Sequence, residues 1–251
     1  MKIVCKPEWL KKKINPAAHA EMERLLGDHR LHTVCREAIC PNISECFRNR
    51  QATFLILGKS CTRLCSFCNV TKETPLPADP EEPARVEQAV VRLGLSHVVI
   101  TSPTRDDLAD GGSALYAGTV AAIRETSPDT RIELLIPDFM GNRESIATVV
   151  RARPDIIGHN VETAPRLYHI RFGADYLRSL TVLETVRELD PRLKTKSGIM
   201  VGLGETEEEV LAVFADLRRA GCAYLSVGQY LAPSKRHFPV QIGRASCRPR
   251  E

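Results

Sequence analysis

Six cysteines between Cys35 and Cys68 fall into two triplets whose spacing suits metal chemistry. Cys61, Cys65 and Cys68 form C-x3-C-x2-C inside Gly58-Lys59-Ser60-Cys61-Thr62-Arg63-Leu64-Cys65-Ser66-Phe67-Cys68, directly after an apolar run that reads as a strand. Cys35, Cys40 and Cys46 form C-x4-C-x5-C upstream of it. A loop of this length can wrap three thiolates around one iron-sulfur cube. Three cysteines ligate three of the four irons of a 4Fe-4S cluster and leave the fourth open, whereas an electron-carrying cluster normally takes four. An open iron invites substrate chemistry. Structural zinc also accepts three or four thiolates and is the alternative, although closed zinc sites usually pair two C-x2-C turns. Disulfides fit less well, because cysteines as close as Cys65 and Cys68 make poor structural bridges and the chain reads as cytosolic.

The elements that must hold these cysteines follow from periodicity. Short apolar runs rich in branched residues alternate with helical segments from residue 52 onward, which predicts strands at Thr53 to Leu57, His97 to Thr101, Arg131 to Ile136, Asp155 to Gly158, Thr195 to Val201 and Ala223 to Val227. Val86, Ala89, Val90 and Leu93 share one face of a helix, as do Val210, Val213, Phe214 and Leu217. The second helix opens on Thr206 with Glu209 three residues later, a capping box. Six strand-helix repeats with right-handed crossovers predict a parallel α/β sheet curled into a partial (β/α)6 TIM-like barrel. Its working face lies at the carboxyl ends of the strands, so the loops near Gly58, Thr101, Pro137, His159, Gly202 and Gly228 are expected to meet there. Residues 1–50 read as an N-terminal cluster-binding extension, 51–232 as the barrel and 233–251 as a tail.

Composition narrows the partners. The 251 residues carry a formal charge of only +4, with no stretch interleaving arginine and aromatics, so no nucleic-acid partner is expected. No apolar window is long enough to span a membrane, and residues 1–16 lack the core of a signal peptide, which predicts a cytoplasmic protein without a membrane partner. The Lys11-Lys12-Lys13 run reads as a solvated face. Cys5, Cys222 and Cys247 lie outside both triplets and read as packing or incidental thiols. The turn from Gly202 to Thr206 lacks the third glycine of a dinucleotide fingerprint.

The second triplet resembles the signature of the radical S-adenosylmethionine superfamily, and the chain from about Lys6 to Val240 closely resembles the lipoyl synthase family. The resemblance rests on Lys6-Pro7-Glu8-Trp9-Leu10, both cysteine segments, Arg105-Asp106-Asp107-Leu108-Ala109-Asp110-Gly111-Gly112, His159-Asn160-Val161-Glu162-Thr163, Lys196 through Thr206, and Gly228-Gln229-Tyr230-Leu231. It implies two 4Fe-4S clusters and S-adenosyl-L-methionine as cofactors. The Cys61 triplet would hold the radical-generating cluster, and Cys35, Cys40 and Cys46 an auxiliary cluster consumed as sulfur donor. The implied reaction inserts two sulfur atoms at C6 and C8 of an octanoyl chain carried on a lysine of a lipoyl-accepting domain. The implied partners are such domains of 2-oxoacid dehydrogenase E2 or glycine cleavage H protein, a low-potential electron donor and an iron-sulfur carrier.

Phe67, Thr101, Glu133, Asn160, Glu162 and Lys196 are the candidate cofactor-binding residues, with no catalytic residue assigned beyond the cluster ligands. Glu133 and Glu162 suit hydroxyls or an ammonium, Asn160 both donates and accepts, and Lys196 or Arg178 suits a carboxylate. Two departures from the family pattern stand out. Ile157-Gly158 replaces the usual phenylalanine and asparagine, and residues 241–251 do not continue into the family's serine-bearing end. That tail reads as non-native sequence joined to a truncated gene, which predicts cluster binding at Cys61, Cys65 and Cys68 but little lipoyl product. The competing readings are a noncatalytic iron-sulfur or zinc protein and another radical sulfurtransferase, such as a biotin-synthase-like enzyme, which the first triplet disfavours.

Overall fold

The runs of valine, isoleucine and leucine become strands because branched side chains pack well on a pleated surface. In the computed structural model, residues 51–241 are described throughout, and before them residues 20, 24, 26, 27, 31–37, 45, 46 and 49. A two-residue strand β1 (His32–Thr33) runs into a short helix α1 (Val34–Glu37), and six longer strands follow: β2 (Gln51–Leu55), β3 (His97–Thr101), β4 (Arg131–Leu135), β5 (Ile156–Gly158), β6 (Lys194–Val201) and β7 (Tyr224–Gln229). The longer six are parallel, each beside its successor. These are the six expected strands with slightly shifted ends.

The expected count is corrected by β1, which pairs antiparallel with β2 through His32 opposite Leu55 and Thr33 opposite Phe54. Two residues without an apolar run carry no periodic signal, and what recruits them is the exposed backbone edge of β2.

The strand order β1 to β7 never reverses, so the sheet has no switch point of the doubly wound kind. The connecting helices α2 (Glu82–Leu93), α3 (Ser113–Thr126), α4 (Arg143–Arg151) and α5 (Tyr176–Leu189) pack each against the next along one side. That arrangement belongs to a barrel. The main core lies between this helical layer and the sheet, where Val98, Ile100, Ile132, Leu134 and Ile157 meet Val86, Val120, Ile123 and Val149. By strand alternation, His97, Glu133, Gly158 and Lys196 face the other way, into the lumen. The final helix α6 (Glu207–Arg219) begins with the expected capping box, Thr206 and Glu209 each accepting the other's backbone N–H. The 3-10 segment Pro165–Ile170 crosses from the β5 end toward α5. Among the described residues, no helix is long and apolar enough to cross a membrane.

Candidate active site

The loop that carries the second cysteine triplet leaves β2 through a sharp turn, with Leu57 at φ 65° and Gly58 at φ 80°. A leucine in the left-handed region is strained, and the surroundings hold it there. The buried Glu82 carboxylate accepts the Leu57 N–H at 2.7 Å, and the Leu57 carbonyl accepts from Arg105 Nη1 at 3.1 Å. Arg105, only 2% exposed, is itself held by Asp107 through Nε and Nη2 at 2.8 and 2.7 Å. Asp110 then accepts from the backbone N–H groups of Gly112 and Ala114 at the start of α3. Gly112, at φ 89°, leaves room for Leu57, whose Cδ1 would lie 2.2 Å from any Cβ there. The Arg105–Gly112 segment is thus a brace beneath the cysteine loop.

Beyond the turn, Cys61 N–H donates to the Thr71 carbonyl at 2.8 Å and the Thr62 N–H to that of Thr104 at 3.0 Å. Ser66 N–H reaches the Ile170 carbonyl at 2.9 Å. The thiols of Cys61, Cys65 and Cys68 are unbridged and half-buried. Burial raises the Cys65 and Cys68 thiols above their ordinary values, while Arg171 and Lys72 pull Cys65 the other way and Lys72 does so for Cys68. Thiolates there call for further positive charge, which iron supplies. Among the described residues no three such side chains gather as a single ion requires. Three thiolates on one loop match three corners of a four-iron cube and leave its fourth iron without a protein ligand.

Arg63 lies between the ligands and turns inward, 5% exposed. Its Nη1 and Nη2 donate to Asp138 at 2.9 and 2.6 Å, and its Nε and Nη2 to Asp106 at 2.7 and 3.0 Å. Asp138, 1% exposed, also accepts from Arg178 Nε at 2.8 Å. Burial alone would raise the Asp138 carboxyl, but the bonds and charge of Arg63 outweigh it and hold the group below the carboxylate range.

Beside this network a cavity of about 140 Å³ opens at the carboxyl ends of β3, β4 and β5. Its lining includes Arg63, Thr101, Asp138, His159, Asn160, Glu162 and Arg171. His159 Nδ1 donates to the Ile136 carbonyl at 2.9 Å, which leaves Nε2 as a buried acceptor with no hydrogen-bond partner among the described residues. Glu162, at φ 62°, accepts from Asn160 Nδ2 at 3.1 Å, and loss of surrounding water raises its carboxyl. Its charge reaches Cys68. Anion, cation and neutral acceptor thus line one recess next to the thiols, a combination suited to a zwitterionic, hydroxyl-bearing ligand.

Burial, aided by Arg171, lowers the His159 pKa to about 4. An unfolded chain takes up this proton near 6.5. Stability is therefore full above that value and falls as pH drops toward about 4, by on the order of 3 kcal/mol. Urea unfolding of His159→Gln at pH 7 and pH 4.5 is expected to show that much less loss than the parent. An equal loss in both would exclude His159 as its source.

The expected site residues divide three ways. Thr101, Asn160 and Glu162 line the cavity, although Thr101 Oγ1 is committed to the Leu135 carbonyl at 2.8 Å. Glu133 and Lys196 lie deeper in the lumen and hold each other, Nζ donating to the two carboxylate oxygens at 2.8 and 3.0 Å. Phe67 packs against the apolar group of Leu167, Ile170, Leu203 and Tyr230 and does not line the cavity. Arg178, expected to suit a carboxylate of the ligand, forms an ion pair within the protein instead, with Asp138. Of the first triplet, Cys46 is half-buried, Cys35 lies on α1, and Cys40 is outside the described residues. Among the described residues the loops near Gly202 and Gly228 contribute no lining to this cavity, and Gly202 packs against Gln229 and Gln241.

Residues 55–217 match the Radical SAM superfamily. The chain is 75% identical to the lipoyl synthase of Geobacter metallireducens and 71% identical to that of Geotalea daltonii, in each case over 96% of itself and over 85% and 82% of the relative. Among solved structures it is similar to HydG, a maturase of FeFe hydrogenase, with a TM-score of 0.62 at 15% identity, over 94% of this chain and 60% of that one.

Proposed function

Since the chain belongs to the lipoyl synthase family of the radical SAM superfamily, we propose that it inserts sulfur at C6 and C8 of a protein-bound octanoyl-lysine. The observation that carries this reading is the placement of Cys61, Cys65 and Cys68 on one braced loop, with Cys68 within electrostatic reach of the cavity residue Glu162. Cys61, Cys65 and Cys68 would hold a 4Fe-4S cluster, which would supply reductive, radical-generating cleavage of S-adenosylmethionine and so the means of removing hydrogen from the octanoyl chain.

The chain's own residues do the rest. Glu162, its backbone fixed by bonds to Gly198 and Met200, offers a carboxylate to the cofactor's ammonium, and Arg171 offers a cation to its carboxylate. His159 Nε2 accepts from a hydroxyl or amino group. Cys35, Cys40 and Cys46 hold the cluster that gives up sulfur, and Phe67 backs the radical site from its apolar cluster. The protein substrate is an octanoylated lipoyl-accepting domain, of 2-oxoacid dehydrogenase E2 or glycine cleavage H protein. A low-potential electron donor and an iron-sulfur carrier complete the set of partners, and the setting is the cytoplasm.

The test uses the anaerobically reconstituted full chain, dithionite, S-adenosylmethionine and an octanoyl-lysyl peptide deuterated along the chain. Deuterium is expected in 5′-deoxyadenosine, with sulfur on only a small fraction of the peptide by mass spectrometry, as the departure of residues 241–251 from the family's serine-bearing end leads one to expect. Cofactor cleavage with no deuterium transfer would sink the octanoyl assignment.

A further inference from the structure

We propose that Arg63 is a positioning residue for the radical-generating cluster: by clamping the middle of the cysteine loop to Asp138, it fixes a backbone N–H on the sulfur of Cys61 and so sets the cluster's reduction potential. The inference rests on the reading that Cys61, Cys65 and Cys68 hold that cluster.

Two contacts of one residue carry it. The Arg63 backbone N–H stands 3.4 Å from Cys61 Sγ, within range of an N–H···S hydrogen bond. Its side chain reaches in the opposite direction and forks onto both oxygens of Asp138 at 2.9 and 2.6 Å. Asp138 is a firm anchor, since it lies just past the end of β4, is 1% exposed, and accepts the Met140 N–H in its own turn at 3.1 Å. The next residue, Leu64, is 57% exposed and gives the loop no apolar hold. Arg63 is therefore the inward pin of a segment whose neighbour faces solvent.

The physical consequence concerns charge. A cluster gains a negative charge on reduction, and hydrogen bonds donated to its sulfurs stabilise the reduced form more than the oxidised one. An N–H held in place lowers the cost of taking up the electron; one free to swing away does not. Lysine at 63 keeps the positive charge but loses the planar fork that grips two oxygens at once.

Arg178 provides the control. It brings the same charge to the same carboxylate at 2.8 Å, yet the Cys61–Cys68 loop is not among its hydrogen-bond partners. A purely electrostatic effect of cations near Asp138 moves the potential in Arg178→Gln and leaves it unmoved in Arg63→Lys. The clamp predicts the reverse.

The experiment is an EPR-monitored redox titration of the reconstituted full chain carrying Cys35, Cys40 and Cys46 as alanine, so that one cluster is read. Arg63→Lys is expected to lower the reduced-to-oxidised ratio at the parent midpoint three- to tenfold, tenfold being about 59 mV for one electron. Arg178→Gln is expected to change that ratio less than twofold. A parent potential in Arg63→Lys, or a shift as large in Arg178→Gln, overturns the proposal. If Arg63→Lys holds no cluster, melting of the cluster-free chain decides. A melt equal to the parent's places the defect in the loop, as proposed, and a fall of more than about 10 °C assigns Arg63 to the fold and overturns it. Failure of the underlying reading looks different, because the parent itself would then show no S-adenosylmethionine-dependent change in its EPR signal.

Discussion

Alanine at Cys65 is expected to reduce cleavage of S-adenosylmethionine to the level of a protein-free control. Alanine at Cys35, Cys40 and Cys46 together is expected to leave cleavage intact and to remove sulfur transfer. The asymmetry follows from position. Cys65 stands on the braced loop beside the cavity, with no nearby described thiol other than Cys61 and Cys68 to take its place. A cluster missing one of three protein ligands has two unligated irons and no defined orientation for the chelating cofactor. The first triplet precedes β2 in the chain, on a segment separate from the braced loop, and the proposed reading gives its cluster the role of sulfur donor. Iron content, 5′-deoxyadenosine and thiolated peptide, measured on the same samples, check both halves. Sulfur transfer surviving the triple substitution would refute the division of labour, as would cleavage surviving in Cys65→Ala.

Asp138→Ala is expected to be the most destabilising single substitution at the site. It strands Arg63 in a buried position with Asp106 as its remaining partner and takes the carboxylate from Arg178. Removing one partner of a buried ion pair costs about 3–5 kcal/mol. For a chain of this size that corresponds to a melting temperature lower by roughly 6–20 °C. The pH dependence has a definite sign. Burial opposes the charged carboxyl, but Arg63 prevails and its pKa in the folded state lies below the ordinary 3.8. The stabilisation is therefore complete above that value and is lost only as pH falls through the depressed folded one. Calorimetry should show a constant gap between parent and variant from pH 7 to about 5, narrowing at still lower pH. A gap that widened on acidification would contradict the charge-paired carboxylate.

Much of this was legible in the residues, and what was not has physical reasons. The six parallel strands were readable because short apolar segments alternate with helical periods, and β3, His-Val-Val-Ile-Thr, falls at its expected bounds. The Thr206 cap was readable because it is local. Glu133 and Lys196 read in the sequence as candidate cofactor-binding charges, and sequence spacing cannot say that two charges 63 residues apart will bond to each other. Arg63, Asp138, Arg171 and the orphan nitrogen of His159 were passed over for the same reason. Arginine in a polar loop ordinarily lies in water, and only the fold reveals that Arg63 is buried against Asp106 and Asp138. One signal was available: Asp106 belongs to the Arg105–Gly112 motif, and an acidic residue there needs a cation.

The ion pair of Glu133 and Lys196 has a mechanical side. A closed barrel resists widening as a hooped cask does, through an unbroken ring of hydrogen bonds, but here β1 and β7 do not meet and the ring is interrupted. The shortest of the six parallel staves is β5, which shares only three registered pairs with β4 and three with β6. Lys196, level with Gly158 in the register, reaches across β5 and grips Glu133 on the strand beyond. The bond is a tie rod across the shortest stave. It couples β4 to β6 without using the ladder between them, and so keeps the two walls of the cavity from splaying apart.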